Sequence, residues 1–114
     1  MKIKSYEFGR IEINGTVYTS DVIIYDEHVN SSWWRKEGHY LQLEDIEEIL
    51  KPTPDVIIIG TGKFGTMEVS NKVKKELESK GIEAIYVNTD EACCRHNEMS
   101  GSGKTVVTAL HLTC

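Results

Sequence analysis

The sequence predicts an α/β domain built on a largely parallel sheet with both faces covered. Three observations predict it. Val56-Ile57-Ile58-Ile59 is a run of β-branched apolar residues with no polar alternation, the pattern of a strand buried on both sides. A helical stretch from Ser70 to Lys80 and a second strand, Ile82 to Val87, follow it. Strand, helix, strand in that order is a right-handed parallel crossover. Residues 3–25 alternate in polarity around Asn14-Gly15, the strongest two-residue hairpin signal, so an antiparallel portion precedes the parallel one.

Length and charge set the outer bounds. The chain has 114 residues, a single domain over 1–114 that can carry its own core. A net charge of -5 argues against a nucleic-acid partner, which needs a basic surface. The opening residues Met1 to Glu7 lack the apolar segment of a signal peptide, and no run approaches membrane-spanning length. Cys93, Cys94 and Cys114 are an odd count with an adjacent pair, which is not a disulfide framework. These features lead us to expect a cytoplasmic protein in a reducing compartment, without a membrane span.

The elements can be justified in order. Ile3 to Phe8 alternates with mixed faces, and Ile11, Ile13 and Val17 flank the hairpin turn. Val22-Ile23-Ile24-Tyr25 is a second buried strand. Residues 26–42 form a long connection without apolar periodicity, and connections of that length in small domains are often functional. Leu43 to Leu50 is a short helix with Leu43, Ile46, Ile49 and Leu50 on one face and Glu44 and Asp45 in its first turn, where the helix dipole favours acids. Its carboxylates read as a solvated face rather than a catalytic pair. Lys51 and Pro52 end it. Ser70 is the N-cap of the next helix, Val73 and Leu77 face inward, and Gly81 stops it. Thr89 reads as the cap of a third helix, with Asp90 and Glu91 in its first turn, fading near Met99. Lys104 to Leu112 closes the chain as a strand.

Both tryptophans, Trp33 and Trp34, lie in the 26–42 connection beside Arg35, Lys36 and His39. Aromatics next to cations make a candidate ligand or partner surface. The competing structural reading has one indole capping the core and Arg35 stacked on the other. After the central strand, Gly60-x-Gly62-x-x-Gly65 spells a dinucleotide-binding turn. The context opposes it: Thr66-Met67-Glu68-Val69 intervenes before the helix, and Asn88 stands where an acid would hold a ribose, although Asp90 is close. What is left is a turn with glycines for positive φ, or one whose amides at Gly60, Thr61 and Gly62 hold a small anion.

Two further spellings mislead. Gly101-Ser102-Gly103-Lys104-Thr105 resembles the end of a nucleotide-binding loop, but Glu98 occupies the required glycine position, and the loop follows a helix and opens a strand. Cys93, Cys94, His96, His111 and Cys114 are all metal-donor types. Cys94 and His96 nevertheless point to different faces of a helix, and His111 and Cys114 diverge along an extended tail. No metal and no cofactor is expected. Cys114 is a candidate thiol nucleophile, but a terminal carboxylate beside it would disfavour the reactive thiolate.

The ordered set Phe8-Gly9, Tyr18, Ser20-Asp21, Arg35-Lys36, His39, Ile57-Ile58-Ile59-Gly60-Thr61-Gly62, Ala92, Asn97, Gly103 and His111-Leu112-Thr113-Cys114 resembles a small α/β domain family of unknown function. That family is typified by a methanogen archaeal protein and includes an adipogenesis-associated protein and mitochondrial complex I assembly factor three. The resemblance spans essentially the whole chain. It implies a three-layer domain with a mixed central sheet, helices on its faces and an additional N-terminal antiparallel sheet. It brings no catalytic residues. It implies an accessory or assembly role, at least in eukaryotes. The chain departs from the family at His96, usually Tyr, and at Thr105, often Arg, which leaves Lys104 as the nearby cation.

Two functions follow. The favoured one is a non-enzymatic accessory, assembly or protein-binding module using Trp33, Trp34, Arg35, Lys36 and His39. The alternative is a small-anion site or minor enzyme at Gly60, Thr61 and Gly62, with Arg35 or Lys36 pointing into a pocket at the carboxyl end of the central strand. The partner is then an unknown protein or a small anion, and homo-oligomerisation is left open. No residue stands out as a nucleophile or general base.

Overall fold

A computed structural model describes residues 1–114. In chain order its strands are β1 (Ile3–Glu7), β2 (Arg10–Ile13), β3 (Thr16–Tyr18), β4 (Val22–Ile24), β5 (Val29–Asn30) and β6 (Tyr40–Leu41). A 3₁₀ helix, Leu43–Leu50, follows, then β7 (Val56–Gly60), β8 (Glu68–Val69), α1 (Asn71–Ser79), β9 (Glu83–Val87), α2 (Thr89–Met99) and β10 (Val106–Leu110). The central sheet has the order β5-β4-β10-β7-β9. β10, β7 and β9 run parallel, and β4 and β5 are antiparallel additions at one side. The sheet is therefore mixed, as the resemblance implied.

The unalternating run in β7 is explained by its two neighbours in depth. Ile57 and Ile59 pack under the 3₁₀ helix and α1, with Ile46, Ile49, Val73 and Leu77. Val56 and Ile58 pack on the other face, with Ala92 and Cys93 of α2 and Ile3, Ile11 and Ile13 of the β1-β2-β3 sheet. Successive strand residues point to opposite faces, so a strand covered twice must be apolar throughout. The three layers are thus helices, sheet, and α2 together with the small antiparallel sheet. In that small sheet Asn14 (φ 48°) and Gly15 (φ 83°) form the tight turn between β2 and β3, the positive-φ pair that a two-residue hairpin demands.

The structure refines several sequence expectations. The 43–50 helix is 3₁₀ in form, and Leu43, Ile46 and Ile49 recur every third residue, which is the repeat of that helix. Its Asp45 is not on a solvated face: it is 5% exposed and accepts from the Lys36 and Gln42 amides at 3.0 and 2.8 Å. The 26–42 connection contains β5 and β6, strands of two residues, too short to show periodicity. Ser70 caps α1 as read, its Oγ accepting from the Val73 amide. The cap of α2 is Asn88, whose side chain accepts from the Glu91 amide at 3.0 Å; Thr89 is the first helical residue, and its hydroxyl is used elsewhere.

Candidate functional site

Strand register creates the site. β4 against β10 sets Val22 opposite Leu110, so one residue further out Asp21 and His111 meet. β7 against β10 sets Gly60 beside Leu110, and β7 against β9 sets Gly60 beside Val87. The Gly60–Gly62 turn, the start of α2 and the His111–Cys114 segment therefore converge at the carboxyl end of the parallel strands. The 26–42 connection reaches the same place through Arg35 and His39.

Asp21 is the hub. Its Oδ2 accepts from Arg35 Nη2 and from His111 Nδ1, each at 2.8 Å, and its Oδ1 accepts from the Leu112 amide at 2.8 Å. His111 therefore carries its proton on Nδ1, and the 3.0 Å approach of Arg35 Nη2 to that nitrogen is two donors converging on one oxygen. The side chains of Arg35 and His111 are only 5% and 7% exposed. Arg35 Nη2 also donates to the Gly38 carbonyl at 3.1 Å, and the guanidinium lies 4.6 Å from the centre of the Trp33 ring, within cation–π range. Arg35 Nε and Nη1 and His111 Nε2 are buried without hydrogen-bond partners. Burial alone would raise the pKa of Asp21, but the hydrogen bonds from His111 and Leu112 and the Arg35 guanidinium outweigh it and hold the carboxyl below its usual range.

The glycine turn is knitted into the chain. Thr61 N–H donates to Val87 O at 2.9 Å, Lys63 N–H to Thr113 O at 2.7 Å, Thr66 N–H to Cys114 O at 3.2 Å and Met67 N–H to Thr61 O at 3.0 Å. Gly62 N–H donates to Thr89 Oγ1 at 2.9 Å, and that hydroxyl donates onward to His111 O at 2.6 Å. The amides of Thr61 and Gly62 that an anion would need are already in use. Gly62 has φ +105°, and a Cβ there would press into the Cys114 carbonyl. Its glycine serves close backbone packing. The expected pocket at this end of the sheet is also not found: the four surface concavities lie elsewhere, and none is lined by Gly60, Thr61, Gly62, Arg35 or Lys36. The turn and Arg35 are consumed by internal bonds, and Lys36 lines none of the concavities.

The aromatic patch splits. Trp33 is buried, and its Nε1 donates to the Asp45 carbonyl at 2.9 Å. Arg35 stacks on this same indole. Trp34 is 75% exposed. Lys36 is exposed and contributes its amide to Asp45. His39 is exposed, its ring edge-on to His111 with centroids 5.6 Å apart, and its Nε2 lies 3.7 Å from Cys114 Sγ. The structure thus joins Arg35, His39 and the glycine turn around the tail, and sets Trp34 apart from them.

Sequence reasoning does not single out Asp21, His111 and Thr89 as partners. Asp21 and His111 are present in the family-like pieces, but their pairing spans 90 residues and only register reveals it. The other cysteine candidates separate cleanly. Cys93 is buried, and burial, Asp90 and Cys94 push its thiol up to about 12, which removes it as a nucleophile. Cys94 is exposed. His96 is buried, its Nε2–H donating to the Met1 carbonyl at 2.6 Å and its Nδ1 accepting from Thr108 Oγ1 at 2.7 Å.

Several solved structures share this fold. A conserved hypothetical protein from Pyrococcus horikoshii OT3 superposes with a TM-score of 0.85 at 29% identity, with both chains covered over 100% of their length. A structure named MT938 gives 0.79 at 28% identity, covering 99% of this chain and 98% of that one. A Mth938-like domain protein of Bordetella pertussis gives 0.65 at 18% identity over 97% and 85%, a likeness of fold alone. The family model described as protein of unknown function (DUF498/DUF598) matches residues 3–111, and the chain belongs to that family.

Proposed function

We propose that this protein is a non-enzymatic binding module of the accessory or assembly kind, and that Trp34 is the centre of its contact surface. One observation carries the reading. Of two adjacent indoles, Trp33 is locked into the core and Trp34 projects 75% exposed from the same backbone. A large apolar ring held out on a fixed backbone loses little entropy when it is covered, and tryptophan dominates the energy of many interfaces. The buried Asp21–Arg35–His111 cluster supports this reading as a clamp: Arg35 ties the loop at Gly38 and stacks on Trp33, so the residue between them is held in place.

The test compares immobilised wild type with Trp34→Ala for proteins retained from cell extract, followed by calorimetry with each purified binder. The expected result is one or more binders retained by the wild type and lost in the variant, whose circular dichroism and melting are unchanged. Equal retention by both proteins removes Trp34 from any contact surface and ends this reading.

A further inference from the structure

Trp34 stands on the rim of an open groove of about 330 Å³ whose other wall is the outward side of the 3₁₀ helix. Asn30 and Ser32 contribute from the loop, and Glu44, Glu47 and Glu48 from the helix. No lysine or arginine lines it. None of the three glutamates takes part in an ion pair, although seven other pairs occur in the chain.

The helix explains only part of this charge. Glu44 lies in the first turn, where the dipole favours an acid. Glu47 and Glu48 lie in the second half of an eight-residue helix with no basic residue in its last turn, where the same dipole disfavours acids. Glu48 is also held in place: its Oε1 accepts from Asn30 Nδ2 at 2.7 Å and from Tyr25 Oη at 3.0 Å. Its own neighbours supply hydrogen bonds and no counter-charge. Beside these carboxylates lies the exposed face of an indole, the best aromatic surface for a cation.

We infer that this groove docks a basic segment of a partner protein, with an arginine or lysine over the Trp34 ring and neighbouring cations on Glu44, Glu47 and Glu48. The inference rests on the reading of Trp34 as the contact surface and adds the chemistry of its occupant. Charge complementarity selects the partner: a basic chain neutralises the groove, an acidic one is repelled, and an apolar one leaves the glutamates desolvated and unpaired.

The experiment titrates the intact protein with a short arginine-rich peptide and with the same peptide carrying glutamate for arginine, by calorimetry and by amide and indole NMR. The arginine peptide should bind about tenfold or more tighter than its acidic counterpart, and the resonance of the exposed Trp34 indole should shift on binding. Trp34→Ala and the pair Glu44→Gln with Glu47→Gln should each weaken it about tenfold. These positions lie on the surface, and unchanged melting confirms the fold. Equal binding of both peptides overturns the inference, as does binding of the arginine peptide that is indifferent to both variants, which is attraction to net negative charge alone. If the peptides fail while Trp34→Ala still loses captured proteins, the basic partner is wrong and the contact surface stands. If both fail, the underlying reading falls with it.

Discussion

Two regions fed by one loop use charge in opposite ways. In the Asp21–Arg35–His111 cluster a carboxylate, a guanidinium and an imidazole are buried together, and each oxygen of Asp21 is hydrogen-bonded. In the groove beside Trp34 the charges are of one sign, and those of Glu44, Glu47 and Glu48 face solvent. Arg35 of the loop serves the first region and Trp34 the second, while Trp33 lies under Arg35 and also lines the groove. Neighbouring side chains of this stretch enter different surroundings, Trp33 and Arg35 buried and Trp34 exposed, so a single stretch can hold itself down and present a surface at once. The contrast separates what stabilises this chain from what is available to a partner.

Breaking the buried side of the comparison gives the largest effects. Arg35→Ala strips Asp21 of its cation inside the protein and should cost about 3–5 kcal/mol by chemical denaturation. Trp33→Ala should cost a similar ~3–5 kcal/mol, since it removes a core aromatic and the platform under Arg35. Little change in either variant would show that the cluster is not the clamp described. Gly62→Ala should follow, at about 2 kcal/mol or more, because a side chain is strained at φ +105° and meets the Cys114 carbonyl; a measured effect near zero would mean the tail moves aside freely.

The pH dependence sharpens the comparison further. Burial lowers the pKa of His96, partly offset by its hydrogen bond to the Met1 carbonyl. The unfolded chain therefore takes up that proton first, and stability should begin to fall as pH drops below about 6.5. Asp21 is depressed, so its contribution is intact above about 3.9 and is lost as pH falls through its lower folded value. Melting temperature against pH should show both steps, His96→Gln flattening the upper and Asp21→Asn the lower. A single step untouched by either substitution would refute the assignment. The smallest effects belong to the exposed groove: Trp34→Ala and Glu47→Gln should shift stability by no more than about 0.5 kcal/mol.

Much of the fold is legible because it is written locally. The unbroken apolar run of β7, Asn14-Gly15 and the Ser70 cap each occupy a few adjacent residues and depend on little else. The site is legible only in part. Trp33, Trp34 and Arg35 are visible as a group, but their division between core and surface is not, because it turns on which indole finds the Asp45 carbonyl. The glycine turn is visible, but its amides are satisfied by Val87, Thr89, Thr113 and Cys114, residues far along the chain. Thr89 reads equally well as a cap; it is released from that role by Asn88 and ties Gly62 to His111 instead.

The position of β10 has a consequence for how the molecule is made. It is the last strand in sequence and the middle strand in space, between β4 and β7. During vectorial synthesis β4 can pair only with β5, and β7 only with β9, until β10 arrives to zip the two halves together. The sheet therefore closes late, through contacts of long sequence separation that are intrinsically slow to form. Until then β4 and β7 each expose an edge of almost uninterrupted isoleucine and valine, the kind of surface on which nascent chains associate wrongly. A chain cut before Val106 should keep the β7–α1–β9 crossover as a separable piece and lose the clamp entirely, since His111 and its hold on Asp21 come only with the closing strand.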